Sequence, residues 1–186
     1  MRLSAIFLLA VTAAGVQAQD TAETPWIQKT LEMPGHRSLQ AIIQDPETQL
    51  APFETDGCSG GMSWSWQLAA DLFPDFEVKQ GARPPWESCC VTHDQAYHDA
   101  AGAQNAEDSF DARLRADQAL QICVQDQGAQ EVTILAERYS VTEDQVTRAY
   151  ALIAQSMFNA VRLGGGPCSG LPWRWGYGFP GCLAGF

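Results

Sequence analysis

Six cysteines constrain what this chain can fold into more than any other feature of its sequence. They lie at positions 58, 89, 90, 123, 168 and 182, all of them beyond an apolar N-terminal stretch. An even number of cysteines in an exported chain indicates a disulfide framework, and six cysteines allow fifteen different sets of pairs. The spacing of the cysteines on the predicted helices must therefore select the pairs.

The first 18 residues predict a signal peptide. Arg2 gives them a basic start, residues 3–16 are nearly all apolar, and small residues end the stretch at Ala18. A membrane anchor is the less favoured alternative, because this apolar run is shorter than the roughly 20 residues that cross a bilayer and no later run reaches that length. We therefore expect a secreted or periplasmic protein.

The composition is that of a globular and acidic protein. Of the 186 residues, 46% are hydrophobic and 18% are charged, and the net charge is −11. These values exclude a disordered chain, a collagen-like chain and a basic nucleic-acid binder. We expect no nucleic-acid partner, and the acidity favours zwitterionic over anionic lipid surfaces.

The turn and capping residues predict a mainly α-helical fold with irregular loops. Residues 19–53 are predicted to form a lead-in arm with one short helix and little chemistry, and no run of alternating residues favours a large sheet. Ser109 is the expected N-cap of one long helix and Gly128 its expected stop. The predicted helices are 62–72, 86–101, 109–127 and a last helix from Thr142 to the Gly164-Gly165-Gly166 run.

The tail from Cys168 to Cys182 is predicted to be an aromatic loop closed by its own two cysteines. Its aromatic side chains, together with two tryptophans near position 65, fit two interpretations. Either they pack in the core, or they enter a lipid interface, as aromatic side chains tend to do. The side chains concerned are Trp64, Trp66, Trp173, Trp175, Tyr177 and Phe179.

One predicted helix carries the first candidate site residues. His93 and Tyr97 are four residues apart and therefore lie on one face, while Asp94 points about a quarter turn away. An imidazole beside a carboxylate suits a general base near neutral pH and a hard oxygen ligand for a cation. His98 points too far from His93 for a two-histidine zinc site, and we expect His98 and His36 to be solvated.

Asp117 is an anomaly on the next long helix. It falls near the middle of an apolar stripe, where a carboxylate has to be buried or partnered. The economical interpretation is that it accepts hydrogen bonds from His93 and Tyr97 on a facing helix. An aspartate bound to one imidazole nitrogen fixes the tautomer and leaves the other nitrogen as a general base. The stripe consists of Phe110, Leu114, Leu120 and Val124.

The same two helices organise the cysteines. Cys89 and Cys90 diverge by about 100° on a helix and therefore go to different partners. If the two helices are antiparallel, Cys89 meets Cys123 and the disulfide holds His93 opposite Asp117. The predicted pairs are then Cys89–Cys123, Cys58–Cys90 and Cys168–Cys182.

Three motifs follow one another along the chain. Residues 57–61 are Gly-Cys-Ser-Gly-Gly, residues 89–97 are Cys-Cys-Val-Thr-His-Asp-Gln-Ala-Tyr, and residues 117–123 begin with an Asp and end with a Cys. They resemble, in this order, the calcium loop, the active-site helix and the second long helix of the secreted phospholipase A2 family. The resemblance covers roughly residues 56–124 and is closest to the microbial members.

The resemblance implies a calcium-dependent phospholipase A2 that hydrolyses the sn-2 ester of glycerophospholipids at a membrane or micelle surface. It implies a disulfide-linked antiparallel helix pair inside a domain at residues 54–186, which includes the C-terminal loop. His93 would activate water, Asp117 would orient His93, and Tyr97 would support Asp117. The implied calcium ligands are Asp94 and the carbonyls of Gly57, Ser59 and Gly61. Asp56, next to this loop in the sequence, is a candidate for a further side-chain ligand.

The chain departs from the family pattern at one disulfide and one loop. Ala96 and Ala116 occupy positions that often carry a further cysteine pair, and shorter microbial members also lack that pair. The stretch between Cys58 and Cys89 is long. Two alternatives remain open: a catalytically silent phospholipase-like binding or toxin-associated module, and a calcium-dependent hydrolase of another ester.

Overall fold

The computed structural model of the chain describes residues 24–55, 57–58 and 83–182. These residues form five α-helices and one 3-10 turn and contain no β-strand, so the predicted mainly α-helical fold is confirmed for this part of the chain. The predicted signal peptide and the predicted helix at 62–72 lie outside the described residues. The elements are α1 (Thr24–Ile43), α2 (Glu87–His98), the 3-10 turn (Ala100–Gly102), α3 (Ala106–Gln130), α4 (Val132–Tyr139) and α5 (Glu143–Gly164).

The helices α2 and α3 form an antiparallel pair joined by a disulfide. Cys89, near the start of α2, is bonded to Cys123, near the end of α3, with their Cα atoms 5.8 Å apart. At the other end of the pair, the Tyr97 hydroxyl accepts a hydrogen bond from Arg113 of α3. All three predicted cysteine pairs are confirmed, since Cys58–Cys90 and Cys168–Cys182 are also bonded.

Two buried clusters hold the helices together. In the first, Leu120 and Val124 of α3 pack with Tyr150, Ala154 and Met157 of α5. Burying a large apolar side chain stabilises a fold by roughly 1.5–3 kcal/mol relative to exposing it. The second cluster consists of Leu39, Tyr97, Ala100, Ala112 and Trp175. The core interpretation is therefore correct for Trp175, which is fully buried.

The helix α3 is longer at both ends than predicted. Its N-cap is Asn105, whose Oδ1 accepts from the Asp108 N–H at 3.0 Å, whereas Ser109 is fully buried inside the helix. The helix then continues through Gly128, where a Cβ atom would overlap the ring of Tyr150. The absence of a side chain at Gly128 therefore leaves room for the Tyr150 ring, and Gly128 does not end the helix.

Replacing Gly128 by alanine is expected to lower the free energy of unfolding by about 1–3 kcal/mol, because the added methyl group overlaps the Tyr150 ring. Helix propensity alone would change stability in the opposite direction by about 1 kcal/mol. Urea unfolding measures the difference, and Gln125→Ala on the exposed side of α3 serves as the control. A Gly128→Ala protein that is as stable as its parent would contradict this contact.

A 20-residue helix, α1, takes the place of the short helix predicted for the arm. Pro34 lies inside it and removes one backbone hydrogen bond. Tertiary contacts outweigh that loss, because one side of the helix is buried and the amide of Gln40 donates to the carbonyl of Ala103 at 3.0 Å. The buried residues of α1 are Met33, His36, Leu39 and Gln40.

The start of α5 is the predicted capping box. Thr142 Oγ1 accepts from the Gln145 N–H at 3.2 Å, and Gln145 Oε1 accepts from the Thr142 N–H at 2.9 Å. The helix ends at Gly164, as predicted, where a Cβ atom would overlap the ring of Trp173. The short helix α4 is not predicted from the sequence because it has no side-chain cap; burial of Leu135 holds it in place.

No helix within the described ranges is long and apolar enough to cross a membrane.

Candidate active site

His93 and Asp117 face each other across the α2–α3 pair. The Nε2 atom of His93 lies 2.8 Å from Oδ1 of Asp117, and the Tyr97 hydroxyl donates to the same oxygen at 2.7 Å. All three side chains are buried, Asp117 completely. The structure therefore brings together the three side chains that the sequence predicts to form one hydrogen-bonded group.

Asp117 is ionised, and this fixes the protonation of its neighbour. Burial raises the pKa of Asp117, but the hydrogen bond from His93 and the charge of Arg113 lower it more, so that it lies below its ordinary value. An ionised carboxylate can only accept hydrogen bonds. His93 must therefore donate through its Nε2–H, which leaves the lone pair of a neutral imidazole on Nδ1.

The free side of the His93 ring faces a second carboxylate. Its Nδ1 lies 4.0 Å from Oδ1 of Asp94, beyond hydrogen-bond distance. Burial lowers the pKa of His93, while the bond to Asp117 and the nearby charge of Asp94 raise it, and the net result lies above its ordinary value. The environment therefore makes Nδ1 a stronger base than that of a free histidine.

Two arginines that the sequence analysis missed surround Asp117. Arg162, near the end of α5, donates from Nη1 to Oδ2 of Asp117 at 2.9 Å. The Nε of Arg113 lies 3.9 Å from the same oxygen, and it donates to the Tyr97 hydroxyl at 3.2 Å. Both guanidinium groups are buried, so that Asp117 lies among cations as well as beside His93.

Glu32 of α1 completes this charged group. It accepts from Nη1 of Arg113 at 2.5 Å and from Nη2 of Arg162 at 2.7 Å. Two carboxylates, Glu32 and Asp117, thus balance two guanidinium groups. Glu32 belongs to the arm for which the sequence predicts little chemistry, and the packing of α1 on α3 brings it to these two arginines.

Of Arg113, Arg162 and Glu32, only Arg113 could have been linked to Asp117 from the sequence. Arg113 precedes Asp117 by four residues and therefore shares its helix face. Arg162 and Glu32 carried no such signal, because each is brought in from a distant helix by packing alone.

Asp94 contacts His93 on one side and a threonine from the segment before α2 on the other. Its Oδ2 accepts from the Thr55 hydroxyl at 2.6 Å, and the Gly57 N–H donates to Thr55 Oγ1 at 3.0 Å, so that Thr55 links Gly57 to the carboxylate. Among the described residues, no lysine or arginine pairs with Asp94. The backbone of Gly57 has φ of +75°, which favours glycine.

The carboxylate of Asp94 is an oxygen ligand of the type that calcium prefers, and calcium also takes carbonyl oxygens. The part of the chain that the structure describes has no group of three or more His, Cys, Asp or Glu side chains placed to hold a metal. A calcium site at Asp94 would therefore need backbone carbonyls, which is the ligand set that the family resemblance implies. Of the predicted loop ligands, Gly57 lies beside Asp94 on the wall of one cavity, whereas Ser59, Gly61 and Asp56 lie outside the described residues.

A cavity of about 280 Å³ leads to this group of residues. Its wall is mainly apolar, and His93 and Asp94 are the two ionisable side chains among the described residues that line it. Apolar walls with a few polar groups at one point are typical of sites for small or lipid-like molecules. Its apolar lining comes from Leu120, Met157, Ala160, Val161 and Trp173.

The prediction that His36 and His98 are solvated is wrong. His36 is fully buried because α1 packs on α3, and its Nδ1 lies 2.8 Å from the Ser109 hydroxyl. His98 lies between the rings of Phe53 and Tyr177, at 5.4 and 5.2 Å between centroids. Neither ring lines the cavity described above, and the Ser109 hydroxyl beside His36 is fully buried.

Comparison with known proteins adds no family assignment. The chain matches no protein-family model, no curated protein and no solved structure. What the site can do therefore follows from its own side chains: a histidine oriented by a buried carboxylate, beside a carboxylate suited to a cation, at the wall of an apolar cavity.

Proposed function

We propose that this protein is an exported, calcium-dependent phospholipase A2 that hydrolyses the sn-2 ester of glycerophospholipids. The observation that carries the proposal is the 2.8 Å contact between His93 Nε2 and Asp117, with Asp94 4.0 Å from the other ring nitrogen, Nδ1. The disulfide-linked antiparallel pair α2–α3 supports a phospholipase A2 type of fold. Two of the sequence motifs lie on this pair, and Cys58 of the third motif is bonded to Cys90 of α2. The apolar cavity supports a substrate with acyl chains.

His93 is the general base of the proposed reaction. Its Nδ1 removes a proton from water as the water attacks the ester carbonyl, and its Nε2–H remains bonded to the negative charge of Asp117. The imidazolium then returns the proton to the leaving alcohol. Tyr97 holds Asp117 in place through the bond from its hydroxyl.

Calcium supplies positive charge to the ester carbonyl oxygen when it is bound. The ligands that we propose are Asp94 and the carbonyls of Gly57, Ser59 and Gly61. Thr55 keeps the Asp94 carboxylate oriented by donating to Oδ2, which leaves Oδ1 toward His93.

Residues 57–61 also match the Gly-x-Ser-x-Gly pattern of serine hydrolases, with Ser59 at the centre. That pattern has its mechanism only where a strand precedes the serine and a helix follows it. The described residues immediately before the pattern, 44–55, contain no strand. Because our proposal uses water as the nucleophile, Ser59→Ala is expected to retain fatty-acid release, and loss of release would favour an acyl-enzyme.

Replacing Asp94 by asparagine is expected to weaken calcium binding by at least about 10-fold, because the site loses its anionic ligand. Fatty-acid release from phosphatidylcholine vesicles should fall in parallel and lose its response to added calcium. Calorimetric titration with calcium and the release assay measure the two effects. Asp126→Asn, on the exposed side of α3, removes the same charge away from the site and should change neither.

Three outcomes separate the candidate functions. Calcium binding that depends on Asp94 together with fatty-acid release supports the phospholipase. Calcium binding without release from any phospholipid would favour the silent binding module. Release from simple esters, but not from phospholipids, would favour a hydrolase of another ester class.

A further inference from the structure

The carboxylate of Asp117 uses its two oxygens for different partners. Oδ1 accepts from both His93 and Tyr97, at 2.8 and 2.7 Å, while Oδ2 accepts from Arg162 at 2.9 Å. A buried carboxylate turns about its Cβ–Cγ bond until each oxygen has donors. The donor that occupies Oδ2 therefore also sets where Oδ1 lies relative to the His93 ring.

We propose that Arg162 and Glu32 are positioning residues for the general base, acting through Asp117. This inference rests on the proposed function and deepens it. Arg162 holds Oδ2, so that Oδ1 stays in line with the Nε2–H of His93, and Glu32 holds Arg162. Neither residue is among those that line the cavity beside His93.

The geometry of Arg162 suits this role because its two terminal nitrogens bind different carboxylates. Nη1 donates to Asp117, and Nη2 donates to Glu32 at 2.7 Å. The planar guanidinium fixes the angle between these two bonds, which a lysine ammonium cannot do. The Arg162 side chain is only 7% exposed, and both of its terminal nitrogens are hydrogen-bonded, so it has little freedom to rotate.

Arg113 fixes the backbone from which Arg162 projects. Its Nη2 donates to the carbonyls of Val161 and Arg162, at 2.7 and 2.9 Å, and its Nη1 donates to Glu32. The last turn of α5 is thereby tied to α3 and to α1. Without Arg162, the nearest arginine nitrogen to Oδ2 among the described residues is the Nε of Arg113 at 3.9 Å, and a turn of the carboxylate toward it would move Oδ1 away from His93.

The test compares Arg162→Met, which removes the charge, with Arg162→Lys, which keeps it. We expect Arg162→Met to lower kcat for phosphatidylcholine roughly 10- to 100-fold with KM within about 3-fold of the parent, because the general base is misplaced and the cavity wall is unchanged. Arg162→Lys should recover part of the loss. Arg148→Met, at an exposed arginine of the same helix, should behave like the parent protein.

The role of Glu32 is tested by a double-mutant cycle with Arg162. Glu32→Gln should lower kcat several-fold in the parent protein and have little further effect in the Arg162→Met background, because it acts through that arginine. An equal effect in both backgrounds would show that Glu32 does not position Arg162.

A spectroscopic measurement makes the test independent of turnover. The Nε2 proton of His93, bonded to Asp117, should give a downfield proton resonance in the parent protein and in Arg148→Met. This resonance should move or disappear in Arg162→Met and move less in Arg162→Lys. If the parent protein releases no fatty acid, the proposed function fails and the resonance alone decides the positioning role.

A purely structural role for Arg162 gives a different result. Folded Arg162→Met and Arg162→Lys proteins would then show the downfield resonance at the chemical shift of the parent protein. Their kcat would stay within about twofold of the parent value, and only their unfolding midpoints would fall. That outcome would overturn the inference. If Arg162→Met does not fold, the resonance and kcat of Arg162→Lys decide in the same way.

Discussion

The His93→Gln variant is expected to release fatty acid from phosphatidylcholine roughly 10²- to 10⁴-fold more slowly than the parent protein, which is the contribution usual for a general base. Glutamine removes the basic nitrogen but can still donate from its amide to Oδ1 of Asp117. The buried carboxylate therefore keeps a donor at this position, and the variant is expected to fold.

Release kinetics at saturating calcium, together with a circular dichroism spectrum, check this expectation. Gln95→Ala is the matched control, because Gln95 lies on the exposed side of the same helix, α2. A folded His93→Gln protein with more than about a tenth of the parent rate would show that His93 is not the base.

Replacing Asp117 by asparagine is expected to lower the free energy of unfolding by about 3–5 kcal/mol, the usual result of removing one partner from a buried ion pair. His93, Tyr97 and Arg162 all donate to this carboxylate. The NH2 group of asparagine is itself a hydrogen-bond donor. It would replace one carboxylate oxygen, so that at least one of these three donors would lose its acceptor. The two buried guanidinium groups would also be left with Glu32 as their one anionic partner within this group.

Urea unfolding measures this loss, and Asp126→Asn on the same helix is the control, since its side chain is exposed. Fatty-acid release by Asp117→Asn should also fall, because an asparagine no longer dictates the tautomer of His93. A change in unfolding free energy of less than about 1 kcal/mol would contradict the charge network around residue 117.

The sequence alone predicts the arrangement of His93, Tyr97 and Asp117, for a physical reason. Spacing of four residues places the first two on one helix face, and a carboxylate inside an apolar stripe requires a buried partner. The adjacent cysteines of α2 then align the two helices through Cys89 and Cys123. Each of these inferences depends on periodicity within one helix, and periodicity can be seen in a sequence.

Contacts between distant segments carry no such periodic signal. Glu32 and Arg162 are 130 residues apart, and only the packing of α1 and α5 around α3 brings them together. His36 and His98 seemed suited to solvent because a histidine on a helix is compatible with either environment. Gly128 looked like a helix stop because a sequence does not show that Tyr150 needs the space above it.

The most direct test of the proposed function is positional analysis of the fatty acid released from phosphatidylcholine with different acyl chains at sn-1 and sn-2. The oxidised protein, with its three disulfides formed, is assayed with calcium and with excess chelator. We expect release of the sn-2 chain with calcium and almost none with chelator. Release that is equal from both positions, or that persists in chelator, would contradict a calcium-dependent phospholipase A2 built on His93, Asp94 and Asp117.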